Sequence, residues 1–228
     1  MMNQFFVDSL ESENLVLPLK EMHHAKNTLR IKDGEKIRLT DGRGGLAIAE
    51  FGDEISLLER WTVEPVRPLI HVIQALAKGD RDELAVQTST ELGARRFTPW
   101  QSERSIIRWN AQKAEKGVNR WQAIALEATK QSHQGWIPEV TGLARNTDFD
   151  FTGQLIVLDP DALQPLTSLE FSDALTLVVG PEGGISDLET EKLVARGAQL
   201  ASLGQSVFRT STAAPAAIAT IRTLVGWG

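Results

Sequence analysis

Cysteine is absent from the 228 residues, which excludes disulfides, thiolate chemistry and Cys-ligated zinc. That absence is compatible with a cytoplasmic protein, and a cytoplasmic location is the expectation. No apolar run is long enough to span a membrane, and the first residues lack the basic-then-apolar order of a signal peptide. No membrane partner is expected. Metal ligands are scarce as well: of the four histidines, His71 and His133 stand alone, and the adjacent His23 and His24 would point apart on a strand. No metal site follows from them, and no internal repeat is visible.

With 42% apolar residues the chain can bury a proper core, and its length suffices for one large domain or for a small unit plus a medium one. A net charge of −6 taken over the whole chain argues mildly against nucleic acid. The distribution of charge argues the other way. Between Arg95 and Arg120 seven basic residues (Arg95, Arg96, Arg104, Arg108, Lys113, Lys116, Arg120) face two acidic ones, Glu103 and Glu115. Trp100, Trp109 and Trp121 lie in the same stretch, a combination that suits phosphate neutralisation plus base stacking. A solvated helix face with core tryptophans is the competing reading.

Chemistry concentrates between Leu175 and Thr220. Two apolar runs of strand length, Leu175 to Val179 and Leu200 to Leu203, each end in a glycine, Gly180 and Gly204. Ser186 and Glu189 have capping-box spacing, so a helix is predicted from there to about Arg196, with Gly197 as its stop. Strand, turn, helix and strand make a βαβ unit with parallel strands, and ligands belong at their carboxyl ends. The turn Gly180-Pro181-Glu182-Gly183-Gly184 offers bare backbone stiffened by proline, which suits an adenine or a ribose. It is neither Gly-x-Gly-x-x-Gly nor a phosphate loop, because no lysine follows these glycines, which speaks against a nucleoside triphosphate. Tight βα turns with no ligand are the alternative.

Residues 1 to 67 read as a separate small unit. Phe5 to Val7, Ile37 to Thr40, Leu46 to Glu50 and Ile55 to Leu58 are strand-like runs, and Asp41 to Gly45 is a hairpin signal, which together predict a small β-barrel. His24, Arg30, Lys36 and Arg43 place positive charge on its loops, and Trp61 to Pro68 reads as the linker. From residue 68 onward, strand runs at Leu69 to Ala77, Phe97 to Trp100 and Leu155 to Leu158 alternate with helical patterns at Asp80 to Gly93 and Ala111 to Ser132. This alternation argues for an α/β fold with a mainly parallel sheet. A last helix, Ala213 to Leu224, would carry Pro215 in its first turn and pack its small face into the core or against a second copy.

The string Gly180-Pro181-Glu182-Gly183-Gly184, then Ser202-Leu203-Gly204, then Arg209-Thr210-x-Thr212-Ala213 resembles the C-terminal signature of the RsmE family of ribosomal RNA methyltransferases, members of the SPOUT class. The resemblance extends over most of the chain, through Lys78, Glu91-Leu92-Gly93, Pro99, Ser102 to Ser105, Glu127-Ala128 and Gln131-Ser132. It implies a PUA-like RNA-binding barrel followed by a methyltransferase domain at 68–228 with a trefoil knot in about 155–228. It also implies S-adenosylmethionine as methyl donor, N3 of a uridine in 16S ribosomal RNA of the 30S subunit as acceptor, and a homodimer. On this resemblance Leu158, Gly180, Gly184, Leu203, Gly204, Val207 and Thr212 hold the cofactor. Arg209 stabilises the uridine anion or grips a phosphate, or else pairs with Glu182, which accepts the proton or holds the cofactor amino group. His24, Arg30, Lys36, Arg43, Arg104 and Arg108 are the expected RNA contacts. Four positions depart from the family pattern: Lys130 and His133 stand where an acidic residue and an arginine occur, and Ser206 and Ser211 replace an arginine and a glutamate. A transfer RNA ribose 2′-O-methyltransferase and a non-catalytic ribosome-assembly factor are the competing functions.

Overall fold

The computed structural model describes residues 2–12 and 15–227. The chain divides into two compact units, residues 1–65 with Leu126–Ile137, and Val66–Ala125 with Pro138–Gly228.

In the first unit β1 (Gln4–Phe6) pairs in parallel with β2 (Lys36–Thr40), which continues antiparallel into β3 (Gly45–Glu50) and β4 (Ser56–Thr62). The hairpin at Asp41 is set by its carboxylate, which accepts the backbone N–H groups of Arg43 at 2.8 Å and Gly45 at 2.9 Å. Phe5, Ile37, Leu39, Ala47 and Ala49 alternate onto the buried face. Between β1 and β2 lies α1 (Leu19–His23), continued by a π-helical turn over His24–Leu29. His23 and His24 are therefore helical, not on a strand. The sequence signal failed there because the segment buries few side chains, Glu21 and Ala25 among them. Buried Glu21 is matched by Lys130, 2.8 Å away and 8% exposed, which also meets Glu127. The lysine that departs from the family pattern thus has two carboxylates around it. β4 runs to Thr62, so the connecting segment begins at residue 63 rather than at Trp61.

The second unit is a six-stranded sheet in the order β10-β8-β9-β5-β6-β7, parallel throughout. Its strands are β5 (Leu69–Ala75), β6 (Arg96–Trp100), β7 (Glu139–Val140), β8 (Gln154–Leu158), β9 (Ala174–Val179) and β10 (Gln199–Ala201). The central ones are Val/Ile/Leu-rich because both faces are covered. Even-numbered β5 residues Ile70 and Val72 join Trp121 of α3 (Ala111–Gln131) and Ala214, Ala217, Ile218 and Ile221 of α5 (Thr210–Val225) in one core. Odd-numbered Ile73 and Ala75 join Leu193 of α4 (Asp187–Ala195) in the other. On the first face α5 packs beside α2 (Arg81–Glu91), and its buried Arg222 donates to the carbonyl of Gly93. The small face of α5 lies in this core.

Three local differences from the sequence reading have physical causes. α4 begins on the Ser186–Glu189 capping box, yet β9 and β10 are not neighbours, since β8 from earlier in the chain lies between them. α5 starts at Thr210, which moves Pro215 into the second turn. Asp80 opens α2 in a left-handed conformation with no side-chain cap, while the Asp82 carboxylate accepts the Ala77 N–H.

His71, 3% exposed on β5, shares a hydrogen bond with the Thr98 hydroxyl at 2.9 Å. Burial, aided by the Arg96 charge, lowers its pKa from 6.5 to about 3. Between those values the unfolded chain binds a proton that the folded protein excludes, so the group's stabilising contribution, full above pH 6.5, is lost as pH falls. In urea denaturation, the stability of His71→Gln relative to wild type should improve by up to about 1.4 kcal/mol for each pH unit lowered below 6.5. A difference that stays constant with pH would contradict this.

Candidate functional site

The carboxyl ends of β8, β9 and β10 surround a cavity of about 780 Å³, within the usual range for a ligand pocket. Leu158, Val179, Ala201, Leu203 and Ala213 give it apolar walls. Its rim carries Asp159, Asp161, Glu182, Asp187 and Glu191 against Arg81, Arg104 and Arg209, an excess of negative charge that favours a cationic ligand.

The glycines are required for different reasons. Gly184 has φ +72 and Gly204 has φ +123, conformations costly to other residues. Gly180 has no positive φ. A Cβ there would lie 2.8 Å from Ile185 Cγ1, so the turn closes on itself only with glycine. Thr210, at the first position of α5, fixes this turn from below. Its hydroxyl donates to the Gly180 carbonyl at 2.8 Å and accepts from the Gln74 side-chain amide at 2.8 Å. Both Gln74 and Thr210 are buried.

Leu158, Gly180, Gly184, Leu203, Val207, Glu182 and Arg209 all border the cavity, whereas Gly204 and Thr212 do not. Glu182 is held by the Lys78 backbone N–H at 3.1 Å and by Arg81 at 3.4 Å. The alternative Arg209–Glu182 ion pair is not formed: the glutamate's partner comes from α2, and among the described residues Arg209 has no ion pair. Arg209 is exposed at the cavity mouth. Ser206 lies exposed on the rim, and Ser211 is buried in α5.

Arg104 reaches into the glycine turn, donating to the carbonyls of Gly183 and Ile185, and Arg108 donates to the Glu103 carbonyl. The accompanying tryptophans are not stacking surfaces. Trp100 and Trp121 are fully buried, and Trp109 packs edge-on against Trp121, so the aromatic content of this stretch serves the core. In the first unit His24, Arg30 and Lys36 are exposed, and Arg43 donates to the Asp8 carbonyl. Among the described residues no group of three or more His, Cys, Asp or Glu is placed to hold a metal. Gln74, Arg81, Phe208 and Thr210 are among the site residues that the sequence did not assign a role. Only Thr210, inside the Arg-Thr-x-Thr string, carried a signal.

The RNA methyltransferase domain family matches residues 64–222, and the RNA methyltransferase PUA domain family matches residues 19–57. Ribosomal RNA small subunit methyltransferase E of Mycobacterium tuberculosis is 36% identical over 96% of this chain and 91% of its own length. That of Bacillus subtilis is 32% identical over 85% and 84%. The chain belongs to the RsmE family of RNA methyltransferases. Another RsmE member, from Neisseria gonorrhoeae, was solved bound to S-adenosyl methionine; it is 31% identical, covers 98% of each chain and superposes with a TM-score of 0.87. The donor set of the present cavity fits that molecule: apolar walls for a purine, exposed glycine backbone beside them, and an acidic rim for a sulfonium.

Thr210→Val should remove the hydroxyl donor to the Gly180 carbonyl and leave the Gln74 amide with only the Ala75 carbonyl as acceptor, costing about 1–3 kcal/mol in urea denaturation. It should also weaken S-adenosylmethionine binding by calorimetry, while Thr210→Ser, which keeps the hydroxyl, stays near wild type. Equal binding by the valine variant would show that the hydroxyl does not shape the turn.

Proposed function

We propose that this RsmE-family enzyme transfers the methyl group of S-adenosylmethionine to N3 of a uridine in 16S ribosomal RNA, acting on the assembled 30S subunit. The observation that carries the reading is the cavity at the strand ends with the exposed Arg209 guanidinium, without an ion pair among the described residues, at its mouth.

When bound, S-adenosylmethionine supplies an electrophilic methyl on a positive sulfur. For attack, the uridine N3 proton would pass to solvent, and the nitrogen lone pair, in line with the carbon–sulfur bond, would take the methyl as that bond breaks to leave S-adenosylhomocysteine. Orientation of that pair supplies much of the rate, up to about 7–11 kcal/mol in the best-aligned systems. Leu158, Gly180, Gly184, Leu203 and Val207 hold the donor, with Gly204 and Thr212 supporting the loop and helix behind it. Arg209 stabilises the developing uridine anion, or grips the target phosphate, through its planar set of donors. Glu182 already accepts two donors, which favours a holding role over proton abstraction.

The division into a PUA-like domain at 1–67 and a methyltransferase domain at 68–228 is supported by the two family matches and the two compact units. We infer that His24, Arg30, Lys36 and Arg43 of the first, and Arg108 of the second, meet RNA phosphates. A trefoil knot in about 155–228 is supported by the strand order: β10 lies outside β8, and the chain then returns to Thr210 beside Gly180. We also infer a cytoplasmic homodimer; exposed Leu224, Val225 and Trp227 at the end of α5 suit such a contact.

Incubating undermodified small subunits with labelled S-adenosylmethionine, followed by nucleoside mass spectrometry, should yield 3-methyluridine. Arg209→Ala should lower kcat by about 10²- to 10³-fold, the usual loss for one electrostatic donor to a transition state. A 2′-O-methylated nucleoside would move the protein to the ribose-methylating class. Cofactor binding with no methylated nucleoside would remove the substrate assignment, and absence of both would favour an assembly factor.

A further inference from the structure

The loop after β6 is fastened to the cofactor turn at several points. One Arg104 nitrogen donates to the carbonyls of Gly183 at 3.4 Å and Ile185 at 3.2 Å, and the other lies 4.0 Å from the Asp187 carboxylate. The Glu103 backbone N–H donates to Glu189 Oε1 at 2.8 Å, and the Ser186 hydroxyl donates to Glu103 Oε2 at 2.6 Å. Ser186 and Glu189 are the capping box of α4, so Glu103 extends that cap across to β6. Behind it, Arg108 donates to the Glu103 carbonyl at 2.6 Å. Backbone packing is tight as well, since a Cβ on Gly183 would lie 3.3 Å from Arg104 Cβ.

We propose that Arg104, seated by Glu103, is a positioning residue that sets the shape of the Gly180–Ile185 turn for the methyl donor, and is not an RNA contact. The proposal rests on S-adenosylmethionine being the ligand of this cavity. Gly183 and Gly184 make the turn flexible in isolation, and their freedom must be lost on binding unless something orders them beforehand. Two carbonyl dipoles directed at one guanidinium provide that ordering. A planar, multi-donor cation can serve both at once, which a lysine ammonium on a flexible stem does less well.

Calorimetry on the full chain separates this role from its alternatives, using S-adenosylmethionine, S-adenosylhomocysteine and 5′-methylthioadenosine, the last lacking the amino-acid end. Arg104→Ala should weaken all three by a similar factor, about tenfold, equivalent to ~1.4 kcal/mol. Arg104→Lys should recover only part of the loss. Ser186→Ala, which removes the donor to Glu103, should shift affinity in the same direction by less. Affinity for small ribosomal subunits should stay within about twofold of wild type, well under the tenfold that ~1.4 kcal/mol represents. Three outcomes would overturn the proposal: unchanged nucleoside affinities, a loss confined to the two ligands with a carboxylate, or a loss of subunit binding with nucleoside binding intact. If Arg104→Ala does not fold, the lysine and Ser186 variants carry the test. A wild-type protein that binds none of the three nucleosides would instead contradict the function itself.

Discussion

One hydroxyl holds the second unit's ligand edge together. Thr210 Oγ1 sits between the Gly180 carbonyl at the end of β9 and the Gln74 amide on β5, the first hydrogen bond partly buried and the second buried. A buried hydroxyl that donates to one partner and accepts from another has little freedom to move. The result is that the start of α5, the Gly180–Gly184 turn and the central strand keep one relative geometry. The 202–209 loop, which carries Arg209, is thereby pinned at its far end, next to where methyl transfer is assigned.

Around that anchor the other parts of the site are secured from different directions. Glu182 is fastened to the β5–α2 turn through Lys78 and Arg81, and the Gly183–Ile185 carbonyls to the β6 loop through Arg104. The Gly180–Ile185 turn is therefore held by side chains of α2, α5 and the β6 loop. Arg209 is the exception, exposed and without an ion pair among the described residues. Its guanidinium is thus left free at the cavity mouth, as the role proposed for it requires.

Local signals in the sequence carried far. The Ser186–Glu189 box, the glycine stop at Gly197 and the hydrophobic runs of β5, β8 and β9 are short-range patterns, and each specifies its element directly. Gly180 was legible as a turn residue, but its cause, a collision with Ile185 and not a positive φ, depends on the folded turn. Strand order was not legible, because placing β8 between β9 and β10 is a matter of pairing over tens of residues. The assignment of Leu126–Ile137 to the first compact unit was hidden for the same reason, as α3 reads as one continuous helix. The tryptophans near Arg95–Arg120 misled because composition does not say which way a ring faces; two of the three complete the core. Gln74 is a polar residue in a hydrophobic strand, and its role becomes visible only when Thr210 arrives from the far end of the chain.

The site assigned to the methyl donor is the cavity at the ends of β8, β9 and β10. Backbone-amide NMR during titration of S-adenosylmethionine into the intact protein tests it most directly. Large shift changes are expected at Leu158, Gly180, Gly184, Leu203 and Val207, with the amides of β1 to β4 nearly unmoved. Changes centred on the β2–β3 hairpin, or none at saturating cofactor, would contradict it.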